Sequence, residues 1–416
     1  GWVQRLRRWR VVPALKAVSV FCLLLCLATG FWGNRNPYVN FNMTFFWIMF
    51  VLGFAYLTAF IGDLYAAINP WKVLGEQIGR LFKNYTQGRF QYPVALSYWP
   101  ALAFYMGFIW SELFAHTRPF SLSVILAGDS GANLLGVWLV GSAAWFRHCE
   151  FFSVFMRLTA LMSPLAYEPA AAPGERGRLR LRAPFTGLLE QRAESWSLLL
   201  FLLFMLSSTA FDGLRSTAAW ISLFWRDNLN ILTPLLGKPP VMMFMQLRPW
   251  YLLYESMCLL LSPFLYLAVY LAFVALMKRI TRSELPVREL ALRFGLSLLP
   301  IALVYNITHY YTLILTQGVT IVSLLSDPFG WGWNLLGTAG KYRAPILPAM
   351  GLVWHSQVGL IVFGHIVSVY LAHLEALRIW PDRKQAALSQ LPMLVLMVIF
   401  TVAGLWILSQ PIQAGM

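Results

Sequence analysis

YNITHYYTLILTQG (residues 305–318), SDPFGWGWNLLGTAG (326–340) and WHSQVGLIVFGHIVSVYLAHLEAL (354–377) are three parts of one reading. The first and third belong to apolar runs long enough to cross a hydrocarbon core of roughly 30 Å, which takes about 20 helical residues. The middle part is a Gly, Pro and Trp loop carrying Asp327. Four of the chain's six histidines fall in this stretch: His309, His355, His365 and His373. A titratable side chain inside an apolar span is costly to place there, so each is a functional candidate. The competing explanation is a histidine that only hydrogen-bonds a neighbouring helix.

The rest of the chain has the same character. It is 59% hydrophobic and 12% charged over 416 residues, far from the roughly one-quarter charged content of soluble domains. That composition predicts an all-α integral membrane protein forming one polytopic domain over 1–416, in contact with the lipid bilayer. The net charge of +15 would suggest nucleic acid in a soluble protein. Here topology accounts for it, and no nucleic-acid partner is expected. Cys22, Cys26, Cys149 and Cys258 lie in or beside apolar runs without paired spacing, so they read as small core residues. The N-terminal GWVQRLRRWRVVPALK is basic, then apolar, with no clear cleavage pattern; it reads as a retained signal anchor.

Hydropathy marks about nine transmembrane helices: 12–31, 44–68, 92–115, 120–146, 196–212, 250–277, 291–318, 347–375 and 389–410. A cytoplasmic N-terminus places 24 of the 32 Lys and Arg residues inside and 8 outside, the asymmetry that orients membrane proteins. The N-terminus is therefore expected on the cytoplasmic side, with the C-terminal SQPIQAGM outside. Within 147–192, FRHCEFFSVFMRLTALMSPL (146–165) predicts a cytoplasmic interfacial helix, and EPAAAPGERGRLRLRAP (168–184) a solvated basic loop. Residues 212–249 predict an outer helical cap. In GDLYAAINPWKVL (62–74), Asn69-Pro70 reads as the end of the second span.

This topology gathers Glu112, His116, Asp129, Asp212, Glu255, His309 and His355 into the outer halves of spans or just beyond them, with Asp327 in an outer loop and His365 near mid-membrane. Acids and histidines together suit a divalent transition metal such as zinc or copper. His309, His365, Glu112 and His116 are the candidate ligands, and Asp212, Glu255 and Asp327 the candidate catalytic groups. Glu112 and His116 stand at i,i+4 spacing. His355 and His365, like His365 and His373, are too far apart on one straight helix to share an ion. The alternative for every one of these residues is structural hydrogen bonding.

GDLYAAINPWKVL, YWPALAFYMGFIWSELF (98–114), STAFDGLRSTAAW (208–220), ITHYYTLILTQG (307–318), SDPFGWGWNLLGTA (326–339) and GHIVSVYLAHLEAL (364–377) together resemble a family of bacterial multispan membrane proteins, the fenitrothion hydrolase-like proteins. The resemblance implies an inner-membrane protein linked to hydrolysis of organophosphorus triesters, alone or within a membrane complex. It carries no catalytic assignment. The expected function is a metal-dependent hydrolase with an outward-facing site, in which metal-bound water becomes the nucleophile. The alternative is a non-enzymatic subunit working with other membrane subunits, or a metal or small-solute permeation component.

Overall fold

Away from water, a spanning segment must satisfy its own backbone hydrogen bonds, so the long apolar runs become helices. The computed structural model describes residues 11–168, 178–341 and 344–410. The basic residues before Val11, Arg176, Arg343 and most of the C-terminal tail lie outside the described residues, and with them the readings that rest on them. Eight described helices are long and apolar enough to cross a membrane: α1 (Val11–Trp32), α2 (Phe41–Ile61), α5 (Pro119–Val140), α8 (Trp196–Arg215), α10 (within Pro240–Thr281), α11 (Val287–Thr316), α12 (Met350–Ile379) and α13 (Arg383–Ser409). The protein is an all-α multispan membrane protein. The expected span 92–115 contributes only α4 (Trp99–Phe114), which at 1.5 Å per residue is about 24 Å long. Pro93, a single 3-10 turn at Val94–Leu96 and the positive φ of Ser97 take up the rest.

The chain groups into two compact units, where the sequence suggests one domain. Unit 1 comprises residues 1–105, 116–190 and 310–350. In it α1 and α5 come together at Gly30, where an added Cβ would overlap Ser123 and Pro119. Asn42 donates to Pro119 O (2.8 Å), and Ser123 donates to Cys26 O (2.9 Å). These polar contacts fix the crossing where lipid offers no competing partner. The middle of α2, Thr44–Phe54, is π-helical. The second predicted span does not run to Asn69. It stops at Ile61, followed by Gly62 at φ +85°, and Asn69 instead caps a new helix, α3 (Pro70–Leu81), by accepting from Lys72 N. Pro70 is tolerated at the first turn because its missing N–H would have had no helical partner there.

The segment 146–165 is not one interfacial helix. It is split between α6 (Ser142–His148) and α7 (Phe151–Ala160), with Glu150 as N-cap of α7. Phe151, Phe152, Val154, Met156 and Leu158 are buried, so α7 is covered by protein on more than one face. The basic loop after it is in part a hairpin, β1 (Leu165–Glu168) paired antiparallel with β2 (Arg178–Leu181). Arg182 donates to the carbonyls of Ala160, Leu161 and Ser163, which closes the C-terminal end of α7.

Unit 2 comprises 106–115, 191–309 and 351–416. Its centre is α8, apolar on all sides and buried nearly throughout. Around it run α10 (Phe244–Thr281), α11 and α13. Ser262 donates to Ser207 Oγ (2.8 Å), Tyr270 to Ala291 O (2.9 Å) and Gln385 to Thr281 O (2.6 Å). Gly364 lets α12 approach Val304 of α11, which a Cβ there would overlap. The predicted cap contains α9 (Ala218–Trp225), with Thr217 as its N-cap, and the short helix Leu232–Leu236. It ends earlier than 249, because α10 begins at Phe244 and accommodates Pro249 and Pro263.

Candidate functional site

Unit 2 places Asp212 in the last turn of α8, one turn before Arg215. His309 Nε2 of α11 lies 2.9 Å from Asp212 Oδ2. Arg215 Nη1 stands 3.9 Å from Asp212 Oδ1, and its Nε 3.6 Å from Glu255 Oε1 of α10. Arg215 also donates to Leu113 O (3.1 Å) and stacks over the Phe114 ring at 4.7 Å. Glu255, 5% exposed, accepts from Trp220 Nε1 at 3.2 Å. Trp220 in turn stacks on Tyr254 at 5.2 Å. The result is a chain of charge, His309–Asp212–Arg215–Glu255–Trp220, drawn from three membrane-crossing helices and the cap.

Each link has a local cause. Asp212 and Arg215 stand at i,i+3, so both leave one face of α8. The small Gly213 leaves room beside the imidazole: a Cβ there would meet His309 Cε1 at 3.6 Å and Nδ1 at 3.7 Å. With Nε2–H donated to Asp212, the basic lone pair of neutral His309 is on Nδ1, on that Gly213 side. A carboxylate that orients an imidazole in this way is the arrangement of an acid–base pair. One turn earlier on α11, Tyr305 is 4% exposed and its hydroxyl is buried without a hydrogen-bond partner.

The other candidates fall elsewhere. Glu112 is in unit 2, within electrostatic reach of Asp212. His116 is in unit 1, and α4 ends at Phe114 while His116 adopts φ +45°. The i,i+4 pairing of Glu112 with His116 is therefore not formed on one helix. Asp327 also belongs to unit 1, where its carboxylate accepts from Trp331 N (3.0 Å) and Gly332 N (2.8 Å). Gly330 and Gly332, at φ +67° and +86°, make that tight loop. His365 donates through Nδ1 to Ile361 O (2.7 Å), while its buried Nε2 has no partner. With His373 it lines a groove of about 510 Å³ between α12 and α13. His355 bonds Gly351 O on its own helix at 2.6 Å.

One cavity lined by Asp212, Glu255, His309, Asp327 and His365 is thus not found within either unit. Asp212, Glu255 and His309 are brought together. Among the described residues no three His, Cys, Asp or Glu side chains are grouped to hold a metal ion. His309 and Asp212 supply a pair, and Asp212 is shared with a guanidinium. The donor set does not fit the zinc or copper site expected from sequence. The residue that sequence reasoning passed over is Arg215, counted only as a loop charge. Its signal was Asp212-x-x-Arg215 at the end of an apolar run. No family model, curated protein or solved structure matches this chain.

Proposed function

We propose that this chain is a bacterial inner-membrane protein whose unit 2 carries a metal-free acid–base site, with His309 as the proton-transferring group and Asp212 as its orienting partner. The observation that carries the reading is the 2.9 Å contact between His309 Nε2 and Asp212 Oδ2 on two apolar helices. Asp212 holds the ring and stabilises the imidazolium formed when Nδ1 takes a proton. Arg215 sets a positive charge between Asp212 and Glu255. The substrate class follows from the resemblance: an organophosphorus triester, attacked at phosphorus by water that gives its proton to His309, while the P–O bond to one ester group breaks and that group leaves as its oxyanion, giving a phosphodiester. Two of the resembling motifs, STAFDGLRSTAAW and ITHYYTLILTQG, contain Asp212, Arg215 and His309, which supports the choice of site.

Purified protein is assayed against aryl phosphotriesters at pH 7–8, beside His309→Gln and Asp212→Asn. General-base catalysis is worth about 10²–10⁴-fold, so His309→Gln loses at least 100-fold in turnover at normal folded yield. Turnover by His309→Gln within a few fold of wild type ends the general-base reading. A second reading, in which the same pair carries protons for a larger membrane complex, is favoured by the unpartnered Nε2 of His365 in unit 2. It predicts no esterase activity in the wild type, together with proton uptake that disappears in Asp212→Asn.

A further inference from the structure

Unit 1 contains a cleft of about 610 Å³ lined by Asp63, Asn69, Lys72, Glu76, Arg147 and Arg157, among others. It lies where two spans end: α2 stops at Ile61 and α5 at Val140, and the lining residues 63–76 and 142–157 follow directly. That is the level at which a spanning helix leaves hydrocarbon and meets headgroups.

The charges there are unbalanced. Glu76 is already paired with Lys16 at 2.9 Å. Asp63 accepts from Ala66 N at 2.9 Å. Lys72 donates only to the Ala66 carbonyl (3.0 Å). Arg157 donates to Tyr98 Oη (3.3 Å) and Arg147 O (3.1 Å), with its guanidinium 5.6 Å from the centre of the Tyr98 ring. Neither Lys72 nor Arg157 has a carboxylate within ion-pair distance among the described residues. With Glu76 taken by Lys16, Lys72 and Arg157 against Asp63 leave a surplus of one positive charge. Thr86, Ser142 and Ser153 add hydroxyls to the same wall.

We infer that this cleft binds the phosphate of an anionic phospholipid headgroup. Guanidinium and ammonium groups at the membrane boundary recognise phosphate oxygens, and the hydroxyls supply neutral donors to the same oxygens. The acyl chains then remain in the bilayer. Free phosphate offers the same oxygens without that anchor, so the two sources can be separated.

The full chain is delipidated and incorporated in nanodiscs of phosphatidylcholine with one-fifth phosphatidylglycerol, and retained lipid is counted by native mass spectrometry. Wild type is expected to retain one phosphatidylglycerol per chain in at least tenfold preference to phosphatidylcholine, undisturbed by 10 mM inorganic phosphate. Lys72→Gln, which leaves every other side-chain contact of the cleft in place, is expected to weaken that preference several-fold. Lys72→Gln with Arg157→Gln is expected to abolish it. Lys83→Gln, outside the cleft, is the control. Equal retention of the two lipids overturns the inference, as does an unchanged preference in folded Lys72→Gln or displacement by inorganic phosphate.

Discussion

Replacing Arg215 by Met tests whether the charge chain of unit 2 is an interdependent unit. Arg215 lies within ion-pair distance of both Glu255 and Asp212, and Asp212 also meets His309. Methionine keeps much of the side-chain volume and removes the charge. Glu255, with a side chain 6% exposed, is then left with the neutral donors Trp220 Nε1 and the Tyr251 hydroxyl in place of the guanidinium. Removing one partner of a buried ion pair typically costs about 3–5 kcal/mol. Coulomb's law at 3.6 Å gives about 4–5 kcal/mol with an effective dielectric near 20, before desolvation is counted. The partial exposure of Arg215, at 23%, favours the lower end, so the expected loss is about 3 kcal/mol. Reversible unfolding of detergent-solubilised protein in increasing dodecyl sulfate, followed by circular dichroism, measures it. Adding Asp212→Asn and Glu255→Gln to Arg215→Met is expected to restore at least half the loss, because no charge is then left alone. An Arg215→Met protein within 1 kcal/mol of wild type would refute the reasoning, since the carboxylates would not depend on the guanidinium.

Glu150 makes a prediction about pH. Burial pushes its carboxyl up to about 8, against the hydrogen bonds from Ser153 and Phe152 and with a small push from Asp129. A raised carboxyl favours the folded state when protonated, so stability falls as pH rises from the unfolded value near 4.5 to about 8 and is flat above that. The slope is about 1.4 kcal/mol per pH unit for one group, and melting curves of Glu150→Gln between pH 5 and 8 should lose it. Gly30→Ala forces a methyl against Ser123 and Pro119; overpacking of this kind costs about 1–3 kcal/mol, seen as a lower melting temperature. Asp327→Ala removes the acceptor of two loop amides and is expected to cost about 1–2 kcal/mol, with turnover of the His309 site unchanged in a matched assay.

Much of the fold is legible because membrane physics is strict. Apolar runs of twenty residues have one stable form, and the eight long helices follow the hydropathy maxima. What was lost is at the ends of those runs, where several local solutions satisfy the same composition. Asn69-Pro70 fits a helix stop and a helix start equally well by residue type. The outcome turns on Asn69 Oδ1 reaching Lys72 N, a geometric fact that periodicity does not contain. The segment 146–165 likewise alternates aromatic and basic residues, as a surface helix does. It became two short helices because Glu150 caps the second and is itself held by Asn69, 81 residues away in sequence. The hairpin of Leu165–Glu168 with Arg178–Leu181 is no more visible, since its arginines alternate with leucines as they would in a solvated loop.

The site divides in the same way. His309, Asp212 and Glu255 were identified by the cost of placing charge in apolar helices, an argument that needs no structure. That argument finds costly residues but not their partners, and so it gathered Asp327 and His365 into the same cavity. Asp327 answers its cost with two amides of its own loop. His365 does so with a carbonyl one turn away. Asp212 cannot be satisfied within its own turn by backbone, because helical amides there are already committed to the ladder. It therefore needs a donor from another helix, which His309 provides, and a cation, which Arg215 provides. Arg215 in turn brings Glu255, since one guanidinium fork reaches both carboxylates. What marks this cluster is that an imidazole, a guanidinium and two carboxylates from three spanning helices answer one another's cost. That mark is a relation among α8, α10 and α11, and no single stretch of sequence contains it.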